Sequence, residues 1–317
     1  MSKSRFTKTF EKLRHKLGDK VSSDVSLSPY LTWRVGGIAR VFVLPETLSD
    51  LRIVFEEVKE AEIPYFVLGR GSNLLVADSG FDGIVIKLSG SFRKIVVDGL
   101  ELRAGGAASL PALVHATTRR DLGDLTFAAG IPGSLGGAVT LNAGAFGKSV
   151  GETIKEVIIY NHKGELESFP ASKISFGYRE CSLAQQGIIV EATLKLNRAD
   201  PIRIKSDLKR YFRNRSETQP LAYRSAGSVF KNPPDFFAGK LIEGTGCKGL
   251  KIGQAQVSSK HANFIINLGG ASAESIYHLM VKVQKEVYEQ KGIFLEPEVT
   301  ILGQFEEPLL MRDKPEG

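Results

Sequence analysis

The chain has 317 residues, of which 42% are hydrophobic and 24% are charged, so it can bury sizeable cores and has room for about two or three domains. It contains no apolar run long enough to cross a membrane and no N-terminal apolar segment with a small-residue cleavage site, which predicts a cytoplasmic protein without membrane insertion. The net charge of +7 is spread along the chain, which suits anionic small ligands such as dinucleotides better than nucleic acid. Cys181 and Cys247 have no partner at metal-ligand spacing, so neither a disulfide framework nor a metal site is predicted.

The densest basic segment is Lys3–Lys20, in which Phe6, Phe10, Leu13 and Leu17 recur at helical spacing. We expect an amphipathic helix that packs on the body of the protein through this apolar stripe. A helix lying on a membrane surface is the alternative.

A βαβ unit is predicted next. Arg40–Leu44 is rich in β-forming residues, Thr47 is a good N-cap residue, and Tyr65–Leu68 is a second apolar run. Asp50 follows in the first turn of the predicted helix. The helix would bury one face, made by Leu51, Val54, Phe55 and Val58.

The βαβ unit is followed by the loop Gly69–Asn73 and the apolar run Leu74–Val76, with no helix between them. A Rossmann fingerprint needs its third glycine where a helix starts, and Leu74 occupies that position, so a Rossmann fold is disfavoured. Two glycines can still turn backbone N–H groups toward one anion. The loop is therefore a candidate pyrophosphate site, and a plain turn is the alternative.

The segment after residue 94 predicts two strands and a helix. The strands are expected at Ile95–Val97 and Leu100–Ala104, and the helix from Ser109 to about Arg120, with a C-cap near Gly123.

An uncharged stretch poor in large side chains then runs from Phe127 to Gly147. Small residues let the backbone approach a flat ligand and let its amides hydrogen-bond to the edge of that ligand, as a flavin ring would require. A close-packed core of small residues and a flexible linker are the alternatives.

Three β-rich runs predict an antiparallel sheet, at Glu156–Tyr160, Leu166–Phe169 and Ile188–Leu196. A polar break at Asn197–Pro201 marks the last domain boundary. In the C-terminal unit we expect helices at Ile204 to about Asn214, through Leu241–Glu243 and at Ser272–Lys291. Strands are expected at Asn263–Asn267 and Ile293–Ile301.

Several segments, in their order and spacing, resemble the UDP-N-acetylenolpyruvoylglucosamine reductase family over roughly Leu31 to Ile301. The motifs that carry the resemblance are Thr32–Gly37, Gly69–Asn73, Gly130–Gly137, Tyr178–Arg179, Gly227–Pro233 and Glu296–Val299. The resemblance implies an α+β protein with an FAD-binding fold of the vanillyl-alcohol-oxidase type and a C-terminal α+β substrate-binding domain.

The resemblance also implies a division of the chain. We expect an N-terminal helix in residues 1–20, two FAD-binding subdomains in residues 21–90 and 91–198, a substrate-binding domain in residues 199–303, and a tail in residues 304–317.

The activity implied is the NADPH-dependent reduction of UDP-N-acetylenolpyruvoylglucosamine to UDP-N-acetylmuramate, a step toward peptidoglycan. FAD would be the cofactor, NADPH the co-substrate and a UDP-sugar the substrate. The residues that the resemblance assigns to FAD are Gly69, Arg70, Gly71, Ser72, Asn73, Gly130, Ile131, Gly133, Ser134, Gly137, Asn142 and Ala143.

Three catalytic residues follow from the same resemblance. Ser228 would protonate the enolate-like carbon, Arg179 would bind the substrate carboxylate through its planar fork, and Glu298 would polarise that group or relay a proton. Taken alone, Ser228 is a turn residue, Arg179 a partner in a structural ion pair, and Glu298 a solvated residue that shares one strand face with Glu296.

Lys231 and Asn232 would contact substrate phosphate or carboxylate, with a surface role as the alternative. Cys181 stands where family members often have serine, which affects the local hydrogen bonds of Arg179 but not the arginine itself. Two other functions stay open: a flavin-dependent oxidase on the same scaffold, and a flavin- or nucleotide-binding module without catalysis. The sequence identifies no protein partner.

Overall fold

A computed structural model of the protein describes residues 3–306, 308 and 309, so most of the expected tail at 304–317 lies outside the described residues. The helices are α1 (Lys3–Leu17), α2 (Leu48–Ala61), α3 (Leu110–Thr118), α4 (Leu135–Thr140), α5 (Pro201–Thr218), α6 (Ala238–Gly244) and α7 (Ala273–Lys291). The strands are β1 (Val21–Ser26), β2 (Ile38–Val43), β3 (Tyr65–Val67), β4 (Leu74–Val76), β5 (Phe81–Ile86), β6 (Ile95–Asp98), β7 (Glu101–Gly105), β8 (Gly144–Ala145), β9 (Lys148–Ser149), β10 (Ile154–Asn161), β11 (Leu166–Pro170), β12 (Phe176–Gly177), β13 (Glu180–Cys181), β14 (Gly187–Lys195), β15 (Lys251–Ile252), β16 (Ala255–Val257), β17 (Ile265–Asn267) and β18 (Thr300–Leu302).

The chain divides into two compact units. Unit 1 consists of Met1–Asp24, Arg40–Arg70 and Gly83–Asn214, and unit 2 of Val25–Ala39, Gly71–Asp82 and Arg215–Gly317. Helices and strands are mixed throughout, which confirms the α+β class. The four domain boundaries expected from the sequence remain a prediction.

Unit 1 contains the predicted antiparallel sheet, with strand order β11-β10-β14-β7-β6. Its side chains alternate between two apolar cores: Val157 and Ile159 pack into one, and Ile158 and Tyr160 into the other. A sheet that is covered on both faces must be apolar on both, and this explains the uninterrupted apolar run Val157–Tyr160 in β10.

Helix α1 confirms the predicted apolar stripe. Leu13 and Leu17 are buried, and Phe6 and Phe10 pack against the same core. Helix α1 also forms ion pairs with α2. The Glu57 carboxylate, on a side chain that is only 2% exposed, lies 2.7 Å from the Lys16 ammonium and 3.5 Å from the Lys12 ammonium.

Helix α2 begins as predicted. The Thr47 hydroxyl accepts a hydrogen bond from the Asp50 amide at 3.1 Å, and the Asp50 carboxylate accepts one from the Thr47 amide at 3.1 Å. This reciprocal capping box pairs N–H groups that the first helical turn leaves without partners.

The strand that follows α2 has an unexpected neighbour. A four-stranded sheet has the order β1-β2-β5-β3, and β3 runs parallel to β5. The predicted β2-α2-β3 unit is present, but β5 lies between its two strands. Neither β1 nor β5 is among the expected elements.

Two predicted helix ends need correction. Ser109 caps α3 as expected, but the helix ends at Thr118 with Arg119 as its C-cap residue, so the expected cap at Gly123 is wrong. Helix α5 spans Pro201–Thr218 instead of residues 204–214, because proline is well tolerated in the first helical turn, where its missing N–H would have no partner.

Unit 2 is built around Trp33, which is fully buried and donates its indole N–H to the Ile265 carbonyl at 2.7 Å. The three-stranded sheet β15-β16-β17 and helices α6 and α7 contribute to this core. Strand β18 pairs in parallel with β4.

The expected strand at Ile293–Ile301 is wrong for most of its length, because only residues from Thr300 onward form a strand. Glu296 and Glu298 therefore do not share a strand face. In the described part of the chain, no helix is both long and apolar enough to cross a membrane.

Candidate functional site

The loop after β3 depends on glycine at its first position. The Leu68 amide donates to the Ile86 carbonyl at 2.8 Å, which fixes the chain just before the loop. A Cβ atom on Gly69 would lie 2.8 Å from the Ser134 hydroxyl oxygen. The absence of a side chain thus lets two segments that were predicted to bind the same cofactor come together.

Gly71 is required for a different reason. Its φ of +63° is unfavourable for any residue with a side chain, and a Cβ atom there would overlap the Tyr30 carbonyl oxygen. The Gly71 carbonyl accepts a hydrogen bond from the Thr32 amide at 3.0 Å. The Thr32–Gly37 motif and the glycine loop are therefore parts of one local structure.

The loop presents unpaired backbone donors. Within the part of the chain that the structure describes, the N–H groups of Gly69, Arg70, Gly71, Ser72 and Asn73 donate no hydrogen bond to protein atoms. Successive N–H groups in a glycine-containing turn form a concave anion-binding surface. The loop thus fits the pyrophosphate role predicted for it.

Asn73 has a second connection. Its side-chain amide donates to the Glu298 carbonyl at 2.9 Å, and its own carbonyl accepts the Thr300 amide at 3.0 Å. The end of the glycine loop therefore holds the backbone of a residue that was predicted to be catalytic.

The stretch Phe127–Gly147 is partly core and partly open. Phe127, Ala128 and Ala129 are fully buried, so the close-packed alternative is right for them. Gly130 and Gly137 are exposed, and Gly130 adopts a φ of +77°. The predicted contact with a flat ligand stays a prediction, and the open positions are the ones it needs.

Hydrogen bonds hold this stretch in place. The Gly133 carbonyl accepts the Leu110 amide at 2.9 Å, and the Ser134 hydroxyl accepts the Gly137 amide at 3.4 Å, which caps α4. The Ile131 amide donates to Ala128 at 3.0 Å. Ile131, Gly133, Ser134 and Gly137 are thus ordered parts of unit 1, which excludes the flexible-linker alternative.

Asn142 binds protein with both ends of its amide. It donates to the Gly177 carbonyl at 2.9 Å and accepts from the Gly151 amide at 2.9 Å. Ala143 follows, with its amide bonded to Ala138 at 2.7 Å. Asn142 therefore fixes the hairpin β12–β13.

Arg179 lies at the turn of that hairpin, in a left-handed conformation with a φ of +61°. Its guanidinium lies 3.5 Å from the Gly144 carbonyl and 5.4 Å from the centre of the Tyr178 ring. Cys181, two residues on, is buried, and burial raises the pKa of its thiol.

Ser228 and Glu298 are brought together by pairing within unit 2. Phe230 pairs with Pro297 in an antiparallel bridge, and the Glu298 amide donates to the Val229 carbonyl at 2.7 Å. The Ser228 side chain is partly exposed, and its hydroxyl makes no hydrogen bond within the described residues. A serine in this state is able to donate its proton to a ligand.

Lys231 and Asn232 already have protein partners. The Lys231 ammonium lies 2.6 Å from the Glu296 carboxylate, and the Asn232 side-chain oxygen accepts the Ala238 amide, at 3.0 Å, near the start of α6. Both follow directly after the Ser228 segment, so a substrate bound there would lie close to them.

Two residues at this site are not among the sequence predictions. Asn263 is buried and clamps Phe230, accepting its amide at 3.0 Å and donating to its carbonyl at 2.8 Å. Lys87 donates to the Gly69 carbonyl. A buried polar residue in an apolar run could have pointed to Asn263, but nothing local indicates the partner of Lys87.

Comparison with known proteins identifies two domains. Residues 39–169 match the FAD binding domain, and residues 219–302 match the C-terminal domain of UDP-N-acetylenolpyruvoylglucosamine reductase.

Among curated relatives, the UDP-N-acetylenolpyruvoylglucosamine reductase of Desulforamulus reducens is 42% identical over 87% of this chain and 91% of its own length. UDP-N-acetylenolpyruvoylglucosamine reductase 2 of Symbiobacterium thermophilum is 40% identical over 92% and 96%. Among solved structures, the UDP-N-acetylenolpyruvylglucosamine reductase of Thermus caldophilus is similar with a TM-score of 0.77 and 35% identity, covering 88% of this chain and 98% of that one. These matches agree with the flavoprotein fold expected from the sequence.

Proposed function

The chain belongs to the UDP-N-acetylenolpyruvoylglucosamine reductase family, and we propose that it uses NADPH to reduce UDP-N-acetylenolpyruvoylglucosamine to UDP-N-acetylmuramate. The reaction adds a hydride to one alkene carbon and a proton to the other, and its product is a precursor of peptidoglycan. Because NADPH and nucleotide sugars are intracellular metabolites, we expect the protein to act in the cytoplasm.

FAD fits the residues predicted for it. The amides at Gly69–Asn73, which donate to no acceptor among the described residues, suit its diphosphate, and the exposed Gly130 and Gly137 suit a flat ring. Ala143 is anchored to this segment, since its amide donates to the Ala138 carbonyl in α4, and Asn142 accepts the Gly151 amide. Bound FAD would accept a hydride from NADPH and supply it to the alkene.

The observation that carries the proposal is the pairing of the Ser228 segment with the Glu298 segment. The Glu298 amide donates to the carbonyl of Val229, the residue next to Ser228, and Asn263 clamps Phe230 from the other side. Ser228 is thereby held with a hydroxyl that has no hydrogen-bond partner among the described residues, and we assign it the proton for the alkene carbon.

Glu298 and Arg179 would act on the carboxylate next to the alkene. The Arg179 guanidinium offers parallel N–H donors to a carboxylate. Glu298 would polarise this group or return a proton to Ser228. Lys231 and Asn232 would contact the phosphates or the carboxylate of the substrate.

The test separates two half-reactions in the FAD-loaded protein: reduction of the flavin by NADPH, and its reoxidation by the enolpyruvyl sugar. Ser228→Ala and Glu298→Gln should leave the first unchanged and slow the second about 10²- to 10⁴-fold, the usual contribution of a positioned acid. Ser79→Ala and Glu289→Gln remove the same groups from exposed positions in unit 2 and should alter neither.

Two results would overturn the assignment. Reoxidation by oxygen that is rapid while the enolpyruvyl sugar has no effect would indicate an oxidase. A purified protein that is colourless and takes up no FAD would exclude a flavoenzyme of either kind.

A further inference from the structure

Lys87 directly follows β5, and its side chain reaches the glycine loop Gly69–Asn73. Its amide donates to the Val43 carbonyl at 2.9 Å, so its backbone is fixed by the neighbouring strand. Its partly buried ammonium donates to the Gly69 carbonyl. The side chain therefore directs a positive charge at the first residue of the loop.

Two further cations act on Lys87. Burial lowers the pKa of Lys87 to about 8, and the charges of Arg70 and Arg93 add to this effect. Among the residues that the structure describes, no carboxylate forms an ion pair with any of these three side chains. A partly buried cation beside two others is unfavourable unless an anion joins them.

The amides of Gly69 and Arg70, which donate to no acceptor in the part of the chain that the structure describes, add donors to the same place. Charge and amides together describe a site for a multiply charged anion. Lys87, Arg70 and Arg93 all lie within residues 39–169, which match an FAD binding domain, and none lies within residues 219–302, the part that matches the reductase C-terminal domain. This location favours the diphosphate of the flavin over that of the nucleotide sugar.

We propose that Lys87, together with Arg70 and Arg93, binds the diphosphate of FAD. The inference rests on the proposed function, since it requires FAD to be the cofactor. The ammonium of Lys87 compensates diphosphate charge that backbone amides alone leave unbalanced, and the diphosphate removes the repulsion among the three cations.

The binding test uses equilibrium dialysis with FAD and with riboflavin, which lacks phosphate. Lys87→Gln should raise the dissociation constant of FAD roughly 10- to 100-fold, the worth of a hydrogen bond to a charged group, and leave that of riboflavin unchanged. Lys163→Gln removes an exposed lysine from the turn between β10 and β11 in the same unit and should change neither constant.

A pH series adds an independent readout. Because the anion stabilises the charged lysine, the dissociation constant of FAD in the unaltered protein should rise as the pH increases through about 8. In Lys87→Arg the charge persists, so affinity should be retained and the rise should disappear. Arg70 and Arg93 are the charged groups that act on Lys87.

Four outcomes would overturn the inference. If Lys87→Gln binds FAD as tightly as the unaltered protein does, Lys87 has no role in FAD binding, and the proposed function is unaffected. An equal loss of riboflavin affinity would show a structural effect, and a rise only in the KM for NADPH would assign the cations to NADPH. An unaltered protein that binds no FAD would overturn the proposed function as well.

Discussion

Asn263→Ala should damage both the stability of unit 2 and the chemistry assigned to Ser228. The substitution removes the two hydrogen bonds that clamp Phe230, at 3.0 and 2.8 Å, and leaves the buried N–H and C=O of that residue unpaired. Each unpaired buried group costs about 1–3 kcal/mol. We therefore expect the free energy of unfolding to fall by about 2–6 kcal/mol.

The single tryptophan makes this measurable. Trp33 is fully buried in the core of unit 2, so its fluorescence reports the unfolding of that unit. With a urea m-value of about 2–3 kcal/mol/M, the transition midpoint should fall by about 0.7–3 M.

Asn267→Ala is the matched control. Asn267 is also buried in unit 2, and its amide bonds Trp33, Gly269 and Ala271. It should lower the midpoint similarly while leaving the reoxidation half-reaction intact, which Asn263→Ala should slow. A loss of stability below about 1 kcal/mol in Asn263→Ala, or equal slowing by both variants, would refute the positioning argument.

Two other substitutions test single contacts. Gly71→Ala should lower the free energy of unfolding of unit 2 by about 2–4 kcal/mol, because strain at positive φ adds to the overlap with Tyr30. The control Gly246→Ala also has a positive φ, of +76°, but has open space around it. It should cost only about 1 kcal/mol in the same urea titration. Equal losses would contradict the steric reasoning. Burial alone would raise the pKa of Asp50, but the hydrogen bond from Lys20 outweighs this effect and the pKa is lowered. The ionised carboxylate therefore stabilises the fold above its unfolded-state pKa. This stabilisation is lost as the pH falls through the lowered pKa of the folded state. Asp50→Asn should therefore flatten the acid side of a stability-versus-pH curve measured by circular dichroism, and an unchanged acid side would argue against this role.

Local chemistry decided which elements could be predicted. Helix α2 was predictable because its cap, Thr47, and its apolar spacing lie within a dozen residues. Strand β5 was missed because its partner β3 comes from beyond the glycine loop, a pairing without local signal. The strand at 293–301 was overpredicted because Glu296 and Glu298 use their backbone groups on the Ser228 segment, and Pro297 lies between them.

The candidate site was predictable as motifs but not as contacts. Family resemblance pointed to Ser228 and Glu298, yet only the fold shows that their segments pair. Asn142 was assigned to the cofactor, and its amide turns out to hold the hairpin of Arg179. Lys87 carries no motif, since its role depends on a loop 18 residues away.

The contact between α1 and α2 has a practical consequence for preparing shortened protein. The Glu57 side chain is almost fully buried, and the two ammonium groups that form ion pairs with it both belong to α1. Trimming the first 17 residues would remove both lysines that pair with Glu57 and open the apolar faces of Leu51 and Val54 to water. Such a truncation should yield an aggregating product, so N-terminal fusions ought to keep the whole helix.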